Sequence, residues 1–391
     1  MDFDPFDARF FENPYPSYQE MRSRHPVYRC AVKNHRIWPH FWMLSRSEDV
    51  RRALADWETF SSAQGTLIDT DISLIPPNIF NMDPPRHDQL RAVLARVLTA
   101  RKIADLEPLI RRHAQQLIDG FKARGRADIA TEYAQLIPTL TMCELLDLPV
   151  NDREQFLRWN LDTLAGADFT SAAALRSYSE METYWVDLVA ARRRQAGKDL
   201  ISQIIHTEVK GEEISDAEIA GFCSLLHDAS QNTTMNMISN SVIALARHPE
   251  QRRKLIDDPS RWNDAVEELL RYISPVQGLA RTTTRDVEIA GVTIPKGEQV
   301  LLLYGAANHD ENFCARPEEL DFDRIVKAHN AFGHGIHHCL GHAVARLETR
   351  VSLQVLLENL GEWRVDEAGI VRNQLVPTRG VAHAPIEFAA R

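Results

Sequence analysis

The sequence predicts a mainly α, α+β protein, rich in helix with small β-sheets beside the helices. Three observations carry that expectation. From Pro85 to about Gly197 the apolar pattern is mostly helical, and Ser215–Arg247 is long and apolar on most sides. Two stretches outside these, Val27–Arg46 and Arg281–Leu303, have strand-like spacing instead.

Taken in order, the first strand-like stretch carries Val, Tyr, Trp and Phe at alternating positions. Arg91, Leu94, Val97 and Leu98 belong to one of the helical stretches that follow Pro85. Ser215 with Glu218 reads as a capping box at the start of a buried central helix. Asp264–Ile273 is a further helix, stopped by Ser274-Pro275. The second strand-like stretch is punctuated by turns at Ala290-Gly291 and Pro295-Lys296-Gly297. No internal repeat, low-complexity tract or Gly/Ser linker divides the chain, so one compact unit over residues 1–391 is expected.

The 391 residues are 44% hydrophobic, ample for a large core. The net charge of -10, with no Lys/Arg-rich block, argues against a nucleic-acid partner. Cys30, Cys143, Cys223, Cys314 and Cys339 are scattered, odd in number and form no CxxC pair. That pattern is neither a disulfide framework nor a zinc site, and points to a reducing, cytoplasmic location. The start, MDFDPFDARFFENPYPSY, reads as neither signal peptide nor anchor. No apolar run reaches the roughly 18 residues of a membrane span, so no membrane partner is expected.

The strongest chemical signal is Ala331-Phe-Gly-His-Gly-Ile-His-His-Cys-Leu-Gly341, where three glycines bracket one cysteine. Glycine admits positive φ and close backbone approach, and N–H groups aimed at a sulfur favour its thiolate. A helix follows, with Val344, Leu347, Val351 and Val355 on one face, and its N-terminus brings positive partial charge toward Cys339. A thiolate on haem iron donates electron density and favours O–O cleavage.

The spacing Phe332-x-x-Gly335-x-His337-x-Cys339-x-Gly341 resembles the cysteine loop of the cytochromes P450, and the likeness extends over essentially the whole chain. The resemblance implies the P450 fold, with haem b (iron protoporphyrin IX) between the family's I helix and the cysteine loop with its L helix. Cys339 is then the iron ligand, and the whole chain a single haem domain. Glu268-Leu-Leu-Arg271 resembles the family's ExxR pair, whose i, i+3 spacing puts both charges on one helical face. Arg324, fifteen positions before Cys339, sits where the family completes this structural triad. Asp83-Pro-Pro-Arg-His87-Asp-Gln-Leu-Arg91 resembles the start of the family's C helix. The resemblance makes His87, Arg91, Arg281 and His337 contacts to the haem propionates, and Phe332 a further haem contact. Arg and His supply the donors that carboxylate oxygens need.

Leu225-Leu-His-Asp-Ala-Ser-Gln-Asn-Thr-Thr234 aligns with the family's oxygen-activating segment, usually AGxETT or AGxDTT. Thr233 matches the threonine that helps deliver protons. The preceding acid is Asn232 here, and an amide cannot titrate as a relay. Ser230 replaces a usual glycine. A carboxylate appears one turn earlier, at Asp228, on the same helical face as Asn232. Asp228 either pairs with a buried Arg or Lys, serves as a surrogate proton donor, or anchors a basic or N–H-bearing substrate. His227 is expected to turn away from the haem as a hydrogen-bonded core histidine.

Substrate walls are expected from Leu67–Phe80, about Leu161–Ser179, Leu225–Thr233, Val276–Leu279 and Gly380–Ala382. Leu225, Asp228, Ala229, Val276, Gln277, Leu279 and Val381 are the named candidates. The implied activity is oxidation of a small hydrophobic or partly polar molecule with O2, with electrons from a separate ferredoxin or flavodoxin and its reductase. Arg96, Arg101, Lys102 and Arg346 are candidate docking cations. The alternatives are oxidative coupling or ring closure without oxygen insertion and, in a different class, a non-catalytic haem sensor.

Overall fold

A computed structural model describes residues 7, 10, 12–31, 37–68, 72, 78–164, 171–209, 212–326, 328–373 and 378–390. Parts of two expected substrate walls, residues 69–71 and 73–77 of Leu67–Phe80 and 165–170 of Leu161–Ser179, lie outside the described residues. The contacts divide the chain into two compact units.

The first unit comprises Met1–Asp88, Asn263–Leu340 and Val376–Arg379. Its five-stranded sheet runs in the order Val27–Ala31, His40–Leu44, Gln299–Leu302, Leu279–Thr283, Phe60–Ser61. Only the pairing of Gln299–Leu302 with His40–Leu44 is parallel. The sheet is apolar on both faces, and side-chain alternation sorts its residues into two cores. Phe41, Met43 and Leu301 go to one face with Tyr18, Met21 and Ala306. Leu44, Val300 and Leu302 go to the other with Val50, Leu54 and Tyr304. Helices Tyr15–Arg24, Ser47–Ala55 and Tyr304–Asn308 supply those partners, and the turn residues Ala290 and Gly291 both take positive φ.

The second unit comprises Gln89–Trp262, Gly341–Leu375 and Gly380–Arg391. Its longest element is the helix Asp216–Arg247, 32 residues. The expected capping box starts it: Glu218 N–H donates to Ser215 Oγ at 3.3 Å, and Ser215 N–H donates to Glu218 Oε2 at 3.1 Å. The long helix packs against Leu136–Leu145, Ala172–Arg194 and His342–Leu360. Trp363 Nε1 pins it by donating to Val242 O at 3.0 Å. Gly380 allows a close approach: a Cβ there would lie 1.8 Å from Asn236 Oδ1, so no larger residue fits unshifted.

Two boundaries differ from the sequence expectation. The Glu268 helix spans Trp262–Ile273, beginning two residues early. The Pro85–Gly197 region also contains a strand, Arg126–Asp128, paired with Pro385–Phe388. A strand whose partner lies that far along the chain leaves no local periodicity to detect. Among the described residues no helix is long and apolar enough to cross a membrane.

Candidate active site

In the first unit the cysteine loop is a run of tight turns. Gly333 and Gly335 take φ of 68° and 71°, where only glycine is unstrained. Gly335 also abuts backbone, and a Cβ there would meet Leu54 O at 2.4 Å. Gly333 N–H donates to Asn330 O at 2.9 Å, His338 N–H to Gly335 O at 3.1 Å and Cys339 N–H to Phe332 O at 2.9 Å. Cys339 is left partly exposed, whereas Cys30, Cys143 and Cys223 are buried. The helix His342–Leu360 begins three residues on.

The expected triad is assembled. Glu268 has no solvent exposure and Arg271 almost none. Arg271 grips the carboxylate with two bonds, Nε to Oε2 at 2.7 Å and Nη2 to Oε1 at 2.9 Å. Its remaining donors reach Asn308 O, Pro317 O and Glu319 O. Arg324 Nε adds a bond to Glu268 Oε1 at 3.1 Å, beside one from Asp321 N–H at 3.1 Å. Arg324 also bonds Cys314 Sγ and the carbonyls of Ala315, Arg316 and Glu319. One carboxylate thus ties the helix to the long segment before the cysteine loop, and burial makes each bond hard to do without.

Two of the expected propionate contacts come together: the rings of His87 and His337 lie 4.3 Å apart. His87 is fully buried; its Nδ1 pairs with Asp88 at 2.8 Å, and its Nε2 has no partner. Arg281 is 3% exposed, yet it bonds only Ala280 O and Tyr304. Among the described residues it has no carboxylate. A buried guanidinium and a buried ring nitrogen, both short of an anion, are what the carboxylates of a haem would complete. With an accessible thiol in a glycine turn, these residues fit that group. Arg91 lies one turn past His87 on the helix Arg86–Val97 and is partly exposed.

In the second unit, the middle of the long helix has one open stripe. Ala229 is exposed, and Asp228, Asn232 and Thr233 are partly so, whereas Gln231 and Thr234 are buried. Thr233 Oγ1 donates to Ala229 O at 2.8 Å, and Asn232 Oδ1 is buried without a partner. Asp228 has no cation or hydrogen bond among the described residues, and burial pushes its carboxyl up to about 7. Among the described residues, then, no Arg or Lys pairs with Asp228.

Three further expectations need correction. His227 is a core residue, but neither ring nitrogen has a hydrogen-bond partner. Its neighbours are the rings of Phe156 and Trp159, at 5.5 and 6.2 Å, and burial lowers its pKa to about 4. Gln277 is no substrate wall: its amide accepts from Tyr18 Oη at 2.7 Å, donates to Ile273 O and Ser274 O, and packs on Gly305. Val381 has no exposure and sits in a core with Ala130, Ile243 and Ala384. Val276, Leu279 and Leu225 are partly exposed, as a wall requires.

Sequence reasoning also missed Glu348 and did not single out Tyr178 within the expected wall Leu161–Ser179. Glu348 is a buried acid bonded to Thr141 and Thr234, and burial raises it to about 7 against those bonds. An acid adjoining Leu347 on the apolar face was the available signal. Tyr178 lies on the helix Ala172–Arg194, which packs on the long helix, and burial, then the Asp228 charge, raise its phenol above the ordinary range.

The cytochrome P450 family model matches residues 262–385. Cytochrome P450 130 of Mycobacterium tuberculosis is 38% identical over 93% of this chain and 92% of its own length. The vitamin D(3) 25-hydroxylase of Pseudonocardia autotrophica is 36% identical over 99% and 97%. The bacillaene polyketide synthase cytochrome P450 PksS of Bacillus subtilis has a TM-score of 0.91 at 30% identity, over 99% of this chain and all of its own. Likeness of that extent, around a glycine-bracketed Cys339 and a triad of buried Glu268 and Arg271 with Arg324, establishes that the chain belongs to the cytochrome P450 family of haem-iron monooxygenases.

Proposed function

We propose that the whole chain acts as one cytoplasmic haem domain that inserts oxygen from O2 into a small, largely hydrophobic molecule. The observation that carries this reading is the cysteine loop with its accessible Cys339, together with a buried Arg281 that has no carboxylate among the described residues and a buried, unpartnered His87 Nε2. When bound, haem b would supply oxygen activation at iron. Cys339 would bind that iron, and His87, His337, Arg281 and Arg91 would hold the propionates. Phe332 would pack beside the thiolate, and the triad would keep the loop in shape without touching substrate.

On the long helix, Thr233 would help carry protons. Asn232 can accept and donate hydrogen bonds but cannot titrate, so it orients a donor rather than replenishing it. Leu225, Ala229, Val276 and Leu279 would form apolar walls. A ferredoxin or flavodoxin would bring electrons, with the exposed Arg96 and Arg101 as docking cations. Lys102 is engaged by Gln203 and Arg346 by His342, so these two contribute less.

A relative named for hydroxylation supports oxygen insertion over coupling. The test starts by screening ligands for spectral shifts in the holoprotein. Ligands that shift it are then turned over with ferredoxin, reductase and isotopically labelled O2. One labelled oxygen in the product is expected. A product dehydrogenated or ring-closed without label would replace this reading by oxidative coupling. No product from any shifting ligand would leave the sensor reading.

A further inference from the structure

We propose that His329 is a positioning residue for the iron-binding loop: its ring bridges Glu267 on the neighbouring helix to the Ala331 N–H, and so holds the Phe332 carbonyl where it receives the Cys339 N–H. The inference rests on the haem-thiolate reading above and adds two residues that act on Cys339 through the backbone.

The need for such a hold follows from where the triad stops. Glu268 and its arginines secure the chain as far as Arg324. Beyond it, Ile325, Val326 and Ala328 form no hydrogen bond among the described residues, and Ile325 is 85% exposed. Order imposed by the triad is therefore not handed along the chain to the loop, which opens at Ala331.

The preceding residue on the same helix supplies a second hold. Consecutive helical positions point about 100° apart, so Glu267 serves a different segment from Glu268. His329 Nε2 lies 3.2 Å from Glu267 Oε2, and the His329 side chain is only 4% exposed. On the other edge of the ring, the Ala331 N–H donates to Nδ1 at 3.2 Å. A backbone N–H can only donate, so Nδ1 must be the bare nitrogen. The ring hydrogen is then on Nε2, where it donates to the Glu267 carboxylate. Each of the two bonds requires the tautomer that the other selects.

From the ring the path to the cysteine is short. Ala331 precedes Phe332, whose carbonyl accepts the Cys339 N–H at 2.9 Å and closes the loop. The Phe332 ring also lies 5.6 Å from the His329 ring. Asn330 is anchored separately, its N–H donating to Asn308 Oδ1 at 2.6 Å. His329 fixes the next peptide toward Phe332. Groups that orient a metal ligand tune it without touching the metal.

The test uses the reduced holoprotein with carbon monoxide. Wild type is compared with His329→Asn, His329→Gln, Glu267→Ala and the double variant His329→Asn/Glu267→Ala. Asparagine keeps an acceptor near the Nδ1 position but does not reach Glu267. Glutamine carries its amide close to the Nε2 position and gives up the acceptor for Ala331. Two quantities are read. One is the rate at which the thiolate-type CO spectrum gives way to the thiol type in mild denaturant, and the other is the global unfolding midpoint. His329→Asn and Glu267→Ala should each speed the conversion about tenfold or more, since each loses a charge-assisted bond. His329→Gln should speed it about three- to tenfold, for one neutral bond. The double variant should convert no faster than His329→Asn, because both changes break the same bond. The unfolding midpoint should stay near that of wild type throughout. Wild-type conversion rates in both His329 variants, additive effects in the double variant, or midpoints that fall in step with the conversion would overturn the inference. Any of these beside an intact wild-type spectrum refutes only the His329 proposal, whereas a wild type without the thiolate-type spectrum refutes the haem-thiolate reading itself.

Discussion

Glu268 and Asp228 are both carboxylates on helices, and their surroundings differ completely. Glu268 is fully buried, with two guanidinium groups and a backbone N–H on its oxygens. Asp228 is partly open and has no protein partner among the described residues. The first arrangement spends every polar group on holding the chain in one shape. The second leaves a partly open carboxylate without a protein partner among the described residues, and Asn232 Oδ1 on the same stripe is buried and unpartnered. Completed charge marks the brace, and Asp228 lies outside it.

The largest effect is expected at the loop the brace supports. Cys339→Ala should abolish the thiolate-type reduced CO spectrum, while alanine at Cys30, Cys143, Cys223 or Cys314 should preserve it. Retention of that spectrum in Cys339→Ala would remove the loop from the comparison altogether.

Glu348 sharpens the contrast, because it is buried like Glu268 yet bonded only to neutral hydroxyls. Its folded-state carboxyl is raised to about 7 from an ordinary value near 4.5. Between those values the folded protein binds more protons than the unfolded chain. Its stabilising contribution is therefore full in acid and is lost as pH rises through about 7. Glu348→Gln should flatten this dependence. Between about pH 5 and 8 wild type should lose on the order of 1–3 kcal/mol more than the variant, read from denaturation midpoints. Parallel curves would show that Glu348 does not stay neutral in the fold.

A smaller effect is expected at the surface. If Arg96 and Arg101 dock an acidic ferredoxin, reduction should slow as salt rises, because exposed charges are screened within about 8–10 Å. Replacing both by Gln should remove most of the salt dependence and little of the rate at high salt. Salt-independent reduction of wild type would leave these arginines outside the docking surface.

The brace and the loop were legible in the sequence because their chemistry demands fixed types at fixed spacing. Glu268 and Arg271 need one helical face, and Gly335 needs to lack a side chain where Leu54 O approaches. Helix periodicity also placed Asp228 with Asn232 and Thr233 on one stripe. Side-chain direction outside regular elements was not legible. Gln277 follows the Glu268 helix in an irregular segment, and its amide turned inward to Tyr18 rather than outward. Val381 faces the core side of a short strand, and a one-residue change of phase reverses which side faces inward. His227 lacks hydrogen bonds because the rings of Phe156 and Trp159 pack against it, and their distance along the chain hid that from the sequence. Tyr178 lay within the expected wall Leu161–Ser179 but was not singled out, because the packing of its helix on the long helix joins segments far apart in sequence.

The brace-and-opening contrast is tested most directly by two isosteric changes in the holoprotein, Glu268→Gln and Asp228→Asn, compared by chemical denaturation. Glu268→Gln leaves the buried Arg271 and the partly exposed Arg324 guanidinium groups without their anion and should cost about 3–5 kcal/mol, with loss of haem. Asp228→Asn changes a partly open carboxyl that has no partner to strand among the described residues. It should leave the midpoint within about 0.5 kcal/mol of wild type or raise it. A loss in Asp228→Asn as large as that in Glu268→Gln would contradict the contrast, because Asp228 would then be part of the brace.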